Sequence, residues 1–291
     1  MKIVIADNME QEVVEDIKKI GEVSFLPKDL KSELADAEVL IVRSATKVTR
    51  ELLSSAPKLR IVARAGVGTD NIDKAACQER GIKVVNTPGA SSNAVAEMAL
   101  GMMFAISRKL AVADSGMKSG KWLKKELIGT ELEGKTLGIV GLGRIGSLLA
   151  VKAKSLGMNI LYYDPRSESA AIGKKVSFDE LLASSDFVSL HAPLTPENEK
   201  MINHAAISKM KKGAVLINTA RGALVDEDAL YSALKSGHLA AAALDVYPQE
   251  PYSGKLCELP NVLLTPHIAG NTIEAQRRIG QELVERLKSE I

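Results

Sequence analysis

The sequence predicts an α/β protein made of two doubly wound parallel sheets, and three observations predict it. Short aliphatic or β-branched runs alternate with stretches of helical periodicity along nearly the whole chain, the rhythm of parallel strands joined by crossover helices. That rhythm breaks at Thr87-Pro88-Gly89 and restarts near Lys135, which divides the chain in two. In the second half an apolar run enters Gly141-Leu-Gly143-Arg-Ile-Gly146, and six strands can be counted from that point.

In the first half, Lys2–Ala6 reads as a strand and Glu10–Ile20 as a helix closed by Gly21. Val39–Val42 and Arg60–Ala63 are strands with a helix at Thr49–Ala56 between them. Asn71–Arg80 is a helix ended by Gly81, and Lys83–Asn86 is a strand. Asn93–Arg108 follows as a long helix rich in Ala and Met. A helix apolar nearly all round must be covered, between domains or between subunits, and its composition suits a dimer seam. Lys118–Lys125, with the only tryptophan, reads as a basic loop.

The six later strands are 137–140, 160–163, 187–191, 214–219, 240–246 and 262–265, separated by helices that begin at the glycine turn, Ser177, His204 and Asp226. Ser177 and Glu180 form a capping box. Thr272–Lys288 is a terminal helix that returns to the first domain. The expected organisation is a substrate domain of residues 1–92 plus 271–291 and a cofactor domain of residues 93–270. This is a Rossmann dinucleotide-binding domain inserted into a smaller flavodoxin-like domain.

Composition narrows the function classes. With 38 basic and 36 acidic residues the formal charge is only +2, too little to recruit nucleic acid. No apolar run reaches the length of a membrane span. Cys77 and Cys257 are far apart and match no metal spacing, which favours a reduced, cytoplasmic setting and no metal.

The glycine turn carries the first chemistry. Gly141 permits a tight turn, Gly143 lets the backbone approach a pyrophosphate, and Gly146 lets helix pack close to strand. Arg144 and Ile145 open the helix, whose free N–H groups favour an anion. Asp164, 18 residues beyond Gly146, can accept hydrogen bonds from both ribose hydroxyls. It would repel a 2′-phosphate, so NAD is favoured over NADP, although Arg166 blurs that choice.

Ligands of an open parallel sheet bind beyond the carboxyl ends of its strands. Those ends present His191-Ala192-Pro193, then Thr219-Ala220-Arg221, then Asp245 and Glu250, then His267 and Gly270. Hydride transfer between a 2-hydroxy acid and its 2-oxo acid needs a cation for the carboxylate and a group that moves one proton near neutrality. Arginine and histidine meet those needs, and a carboxylate beside the histidine favours the imidazolium and fixes the tautomer. Arg221 thus anchors, His267 exchanges the proton and Glu250 tunes it. Arg221 could instead pair with Asp226 or Glu227, and Glu250, between Pro248 and Pro251, could be a turn residue. His191 suits the nicotinamide or adenine side, while His204 and His238 lie at helix ends.

At GLGRIG (141–146), NTARGALVDEDAL (218–230), ALDVYPQEP (243–251) and TPHIAG (265–270) the chain resembles the D-isomer-specific 2-hydroxyacid dehydrogenases over essentially its whole length. The resemblance implies Arg221, Glu250 and His267 as the catalytic set and Asp164 as the NAD-selecting acid. It also raises Asp245 as a partner of the nicotinamide amide, against the simpler role of a strand-end turn acid. VRSATKVT (42–49), ARAGVGTDNID (63–73) and SGKWLKKELIGTEL (119–132) are similar to the branch that oxidises 3-phospho-D-glycerate. That likeness implies Arg43, Arg64 and Gly66 at the substrate, and Lys124 reaching toward its phosphate from a partner subunit of a homodimer.

The implied activity is NAD-dependent oxidation of a phosphorylated 2-hydroxy acid, at the entry to serine synthesis, with hinges near Thr87–Gly89 and Gly270–Asn271. Alternatives are a glyoxylate or hydroxypyruvate reductase and, in another class, an NAD-sensing scaffold akin to corepressors. Val67 and Ser91 depart from the threonine and asparagine common at their positions. The chain ends without the serine-sensing domain of longer relatives, so serine feedback is not expected.

Overall fold

A computed structural model describes residues 1–167 and 171–291. They form two compact units, Met1–Ser92 with Gly270–Ile291, and Asn93–Ala269. The second boundary thus falls one residue before the 270/271 division expected from sequence.

The first unit runs β1 (Lys2–Ile5), α1 (Gln11–Lys18), β2 (Glu22–Phe25), α2 (Leu30–Leu34), β3 (Val39–Val42), α3 (Arg50–Ser54), β4 (Ile61–Arg64), α4 (Lys74–Glu79) and β5 (Lys83–Asn86). Among the described residues these strands make a five-stranded parallel sheet, ordered β2-β1-β3-β4-β5. That is the flavodoxin-like order. Alternate residues of each strand feed opposite faces. Ile3, Ile5, Ile41 and Ala63 meet Val14 and Ile17 of α1 on one side. Val4, Leu40 and Val62 meet Leu52, Leu53 and Cys77 on the other. The C-terminal helix, Ile273–Glu290, closes the first layer with Leu283 and Leu287. Gly280 lets it approach α1, since a Cβ there would lie 2.0 Å from Val13 Cγ2. Helices α2, α3 and α4 start on side-chain caps from Asp29, Thr49 and Asp73. Strand β2 and helix α2 were not foreseen. Glu22-Val-Ser-Phe25 is a short edge strand with only two apolar residues, and its pairing with β1 rather than its own pattern defines it.

The second unit takes most of α5 (Ser92–Ser107), then α6 (Leu110–Lys118), β6 (Thr136–Val140), α7 (Arg144–Ser155), β7 (Asn159–Tyr163), β8 (Lys174–Lys175), α8 (Phe178–Ser184), β9 (Phe187–Leu190), α9 (His204–Lys209), β10 (Val215–Asn218), α10 (Glu227–Lys235), β11 (Ala241–Leu244) and β12 (Val262–Leu264). Among the described residues the sheet has seven parallel strands, ordered β12-β11-β10-β9-β6-β7-β8. The six-strand expectation is corrected by β8, two lysines paired beside β7, which carry no apolar signal. Helix α6, between Arg108 and the Lys118–Lys125 loop, is an element the sequence does not announce. Helix α5 buries Ala96, Ala99, Met102 and Met103 against Leu137 and Ile139. It is not covered all round: Glu97, Gly101 and Phe104 form an exposed stripe. Among the described residues no helix is long and apolar enough to cross a membrane.

Candidate active site

The chain order reverses between β9 and β6, the switch point where open parallel sheets bind ligands. Here the glycine turn meets the exit of β9. Gly141 has φ +92°, and a Cβ on it would lie 2.8 Å from Ala192 N and from the His191 carbonyl carbon. Both the backbone conformation and the close approach require glycine. A Cβ on Gly146 would lie 2.2 Å from Gly141 O, so α7 can start against the turn only without one.

These residues fit a dinucleotide. Gly143 is the N-cap of α7 and provides no side-chain cap, unlike Asp226 at α10 or Ser177 at α8. A Cβ on Gly143 would meet nothing within 4 Å, so backbone faces open space where a pyrophosphate can sit. The helix begins with exposed Arg144 and half-buried Ile145. Asp164, just beyond β7, accepts from Leu142 N (2.8 Å) through Oδ2 and from Arg166 N (2.8 Å) through Oδ1. Each oxygen retains a lone pair for a ribose hydroxyl.

His191 lies beyond β9, its Nε2 2.8 Å from the buried Ser189 Oγ, while its Nδ1 is buried without a partner. Burial pushes its pKa from 6.5 down to about 4, so the ring is neutral at pH 7. Ala192 is half-buried and Pro193 exposed.

Beyond β10, fully buried Asn218 shapes the next turn. Its Oδ1 accepts from Ala220 N (3.0 Å) and its Nδ2 donates to Arg221 O (2.9 Å). Thr219 is buried, with no partner for Oγ1. Arg221 donates through Nη1 to Ala220 O (2.6 Å).

The Arg221 turn packs on the loop that carries Glu250. A Cβ on Gly222 would fall 1.9 Å from Tyr247 C and 2.3 Å from Pro248 N. Glu250 Oε1 accepts from Tyr247 N (3.1 Å), and its Oε2 lies 2.8 Å from His267 Nδ1. Glu250 and His267 therefore meet, and that contact turns the imidazole so that Nε2 is its outward nitrogen. The pair is open to solvent, with side chains 37% and 49% exposed.

His267 has φ +54°, a left-handed conformation that costs a non-glycine residue roughly 1–2 kcal/mol. Asp245 offsets that strain. Fully buried, it accepts from Thr265 Oγ1 (2.6 Å), Ile268 N (2.8 Å) and Ala269 N (2.8 Å), gripping both sides of His267. This is the turn-acid role; Oδ2 carries only the Ala269 bond and retains a lone pair. Asn218 and Tyr247 were missed. Their sequence signal is faint, a polar residue ending an apolar strand and an aromatic just past one.

The substrate candidates Arg43, Arg64 and Gly66 lie in the first unit, as does Gly270. Arg64 ends β4 opposite Val42, and Arg43 follows β3, so the two stand at neighbouring strand exits. Arg43 donates to Asn8 O (3.0 Å) and Gln276 Oε1 (2.6 Å). Gly66, at φ +144°, leaves room for the Arg64 guanidinium, which a Cβ would overlap. Lys124 is exposed beyond α6, in the second unit. Of the remaining histidines, His204 opens α9 and His238 reaches Ile207 O at 2.9 Å.

Residues 100–269 match the model of the D-isomer specific 2-hydroxyacid dehydrogenase NAD binding domain. A hydroxypyruvate reductase of Thermotoga maritima is 49% identical, over 91% of this chain and 89% of its own length. A D-3-phosphoglycerate dehydrogenase of Methanocaldococcus jannaschii is 44% identical over 99% of this chain, which spans only 57% of that relative. The crystal structure of a D-lactate dehydrogenase from Aquifex aeolicus, complexed with NAD and lactic acid, aligns with a TM-score of 0.88 at 34% identity, covering 100% of this chain and 95% of the other.

Proposed function

The chain belongs to the D-isomer-specific 2-hydroxyacid dehydrogenases, an NAD-dependent family, and from that premise we propose that it oxidises 3-phospho-D-glycerate to 3-phosphohydroxypyruvate, at the entry to serine synthesis. The observation that carries the phosphorylated substrate is the pair Arg43 and Arg64 on adjacent strand exits. The Arg43 guanidinium is oriented by neutral acceptors, and among the described residues no acid forms an ion pair with it, Asp7 accepting only the Arg43 backbone N–H. Its charge is thus available to a phosphate.

Bound NAD supplies the hydride acceptor. Arg221 holds the substrate carboxylate. His267, its Nδ1–H donated to Glu250, accepts the C2 hydroxyl proton at Nε2 as the C2 hydride departs, leaving the 2-oxo acid. Glu250 stabilises the imidazolium that results. The assignment is tested with Arg43→Ala and Arg64→Ala. Loss of kcat/KM confined to 3-phospho-D-glycerate, with D-glycerate unaffected, supports it; equal indifference to both substrates removes it. Reduction of unphosphorylated hydroxypyruvate is the second reading, favoured by the identity and coverage of the Thermotoga relative.

We further propose a cytoplasmic homodimer. Phe104, Leu110, Val112, Met117, Trp122 and Ile128 are exposed in one stretch of chain, Trp122 at 75% and Ile128 at 79%. Apolar exposure on that scale calls for a partner, and a second copy supplies the same surface. Lys124 in this stretch would then reach the partner's substrate.

A further inference from the structure

Tyr247 touches the supports of all three proposed catalytic residues, each through a different part of itself. Its backbone lies directly against Gly222, so the turn that presents Arg221 rests on it. Its N–H donates to Glu250 Oε1 at 3.1 Å, leaving Oε2 for His267. Its phenol oxygen lies 2.9 Å from Thr265 O and 3.1 Å from Leu244 O, so its single proton is shared between two carbonyls at the adjoining ends of β11 and β12.

Thr265 O also accepts the His267 N–H at 3.0 Å, so the phenol bears on the carbonyl that begins the His267 turn. Leu244 O also accepts Thr265 N at 3.0 Å, and the phenol therefore reinforces an existing strand contact. The ring is held in place by Tyr252, stacked at 4.3 Å between centroids and 13° between planes. Burial raises the phenol pKa to about 12, so it stays a donor throughout the neutral range.

We propose that Tyr247 is a positioning residue for hydride transfer, registering the Arg221 turn, the Glu250 carboxylate and the His267 imidazole against one another. The inference rests on the reading of those three as the catalytic set. No covalent step is asked of Tyr247. Its role is to hold proton acceptor and carboxylate anchor within the narrow tolerance that near-attack geometry demands.

Tyr247→Phe keeps the ring, the stack and the N–H, and deletes only the phenol bridge. Loss of one such bond is expected to lower kcat about tenfold, with the KM for NAD unchanged. The limb of the pH–rate profile set by the His267–Glu250 pair shifts as well. Tyr252→Phe is the control, because it keeps the stack and removes a hydroxyl that accepts from Leu256 N (3.3 Å) and bonds to Glu227, neither of them a support of the catalytic set; it leaves kcat and the profile unchanged. If Tyr247→Phe alters thermal stability but neither kcat nor the pH limb, or if both variants fall alike, the proposal is overturned. His267→Ala, assayed alongside, separates the two levels. Turnover surviving in that variant removes the catalytic assignment itself, whereas its loss together with an unaffected Tyr247→Phe removes only the role of Tyr247.

Discussion

His267 Nδ1 and Glu250 Oε2 stand 2.8 Å apart although 17 residues separate them in the chain. The contact settles which imidazole nitrogen faces outward, because Nδ1 is committed to the carboxylate. His267→Ala removes the proton acceptor and Glu250→Gln removes the charge behind it. General-base catalysis of this kind contributes roughly 10²–10⁴-fold. The expected outcome is a fall of that order in kcat for His267→Ala and a smaller one for Glu250→Gln. Calorimetric titration with NAD should give unchanged affinity for both, since the glycine turn is untouched.

Gly222→Ala tests the packing of the Arg221 turn on Tyr247. Its new methyl would meet backbone at 1.9 Å, and backbone cannot swing aside as a flexible side chain does. Overpacking of this kind costs about 1–3 kcal/mol. Urea unfolding should report that loss, and kinetics should show KM for the hydroxy acid rising more than KM for NAD. A variant as stable and as active as the parent would remove the contact from the account.

His191 links stability to pH. Its folded pKa lies near 4, against 6.5 ordinarily, so between those values the unfolded chain binds more protons than the folded one. Stability therefore falls as pH drops from about 6.5 to about 4 and is fully present above that window. The depression corresponds to at most about 3 kcal/mol. His191→Gln should flatten this part of the profile, measured as the urea midpoint at several pH values; an identical slope in both proteins would count against the buried neutral ring.

Trp122→Glu and Ile128→Asp each set a charge in the middle of the exposed apolar stretch. Sedimentation should find the parent protein dimeric and the variants shifted to monomer, with circular dichroism unchanged because neither side chain is buried in its own chain. A monomeric parent would withdraw the dimer and the reach of Lys124 with it.

Most of the architecture was legible residue by residue. The periodicities of β1, β3, β4, β5, β6, β7 and β9 to β12 reveal elements whose burial their own residues demand. Two edge strands, β2 and β8, were not legible. Glu22–Phe25 and Lys174–Lys175 exist because a neighbouring strand offers unpaired backbone, and no side-chain pattern of their own announces it. Helix α6 hid for a related reason: it exposes Leu110, Val112 and Met117, so its apolar residues do not mark an inward face.

The sequence by itself determined the parallel α/β organisation, the glycine turn with its acid at Asp164, and the strand exits at which Arg221, Glu250 and His267 appear. These depend on short-range rules: side-chain periodicity, the conformations open only to glycine, and the place where a strand must end. Only the tertiary structure decided that Asp245 turns inward to hold the His267 loop, that Asn218 shapes the Arg221 turn, and that Tyr247 joins the ends of β11 and β12. The Asn218 turn is local but has no periodicity to announce it, whereas Asp245 and Tyr247 act through hydrogen bonds to a segment far along the chain. Such a contact exists only once the sheet has set the strands side by side.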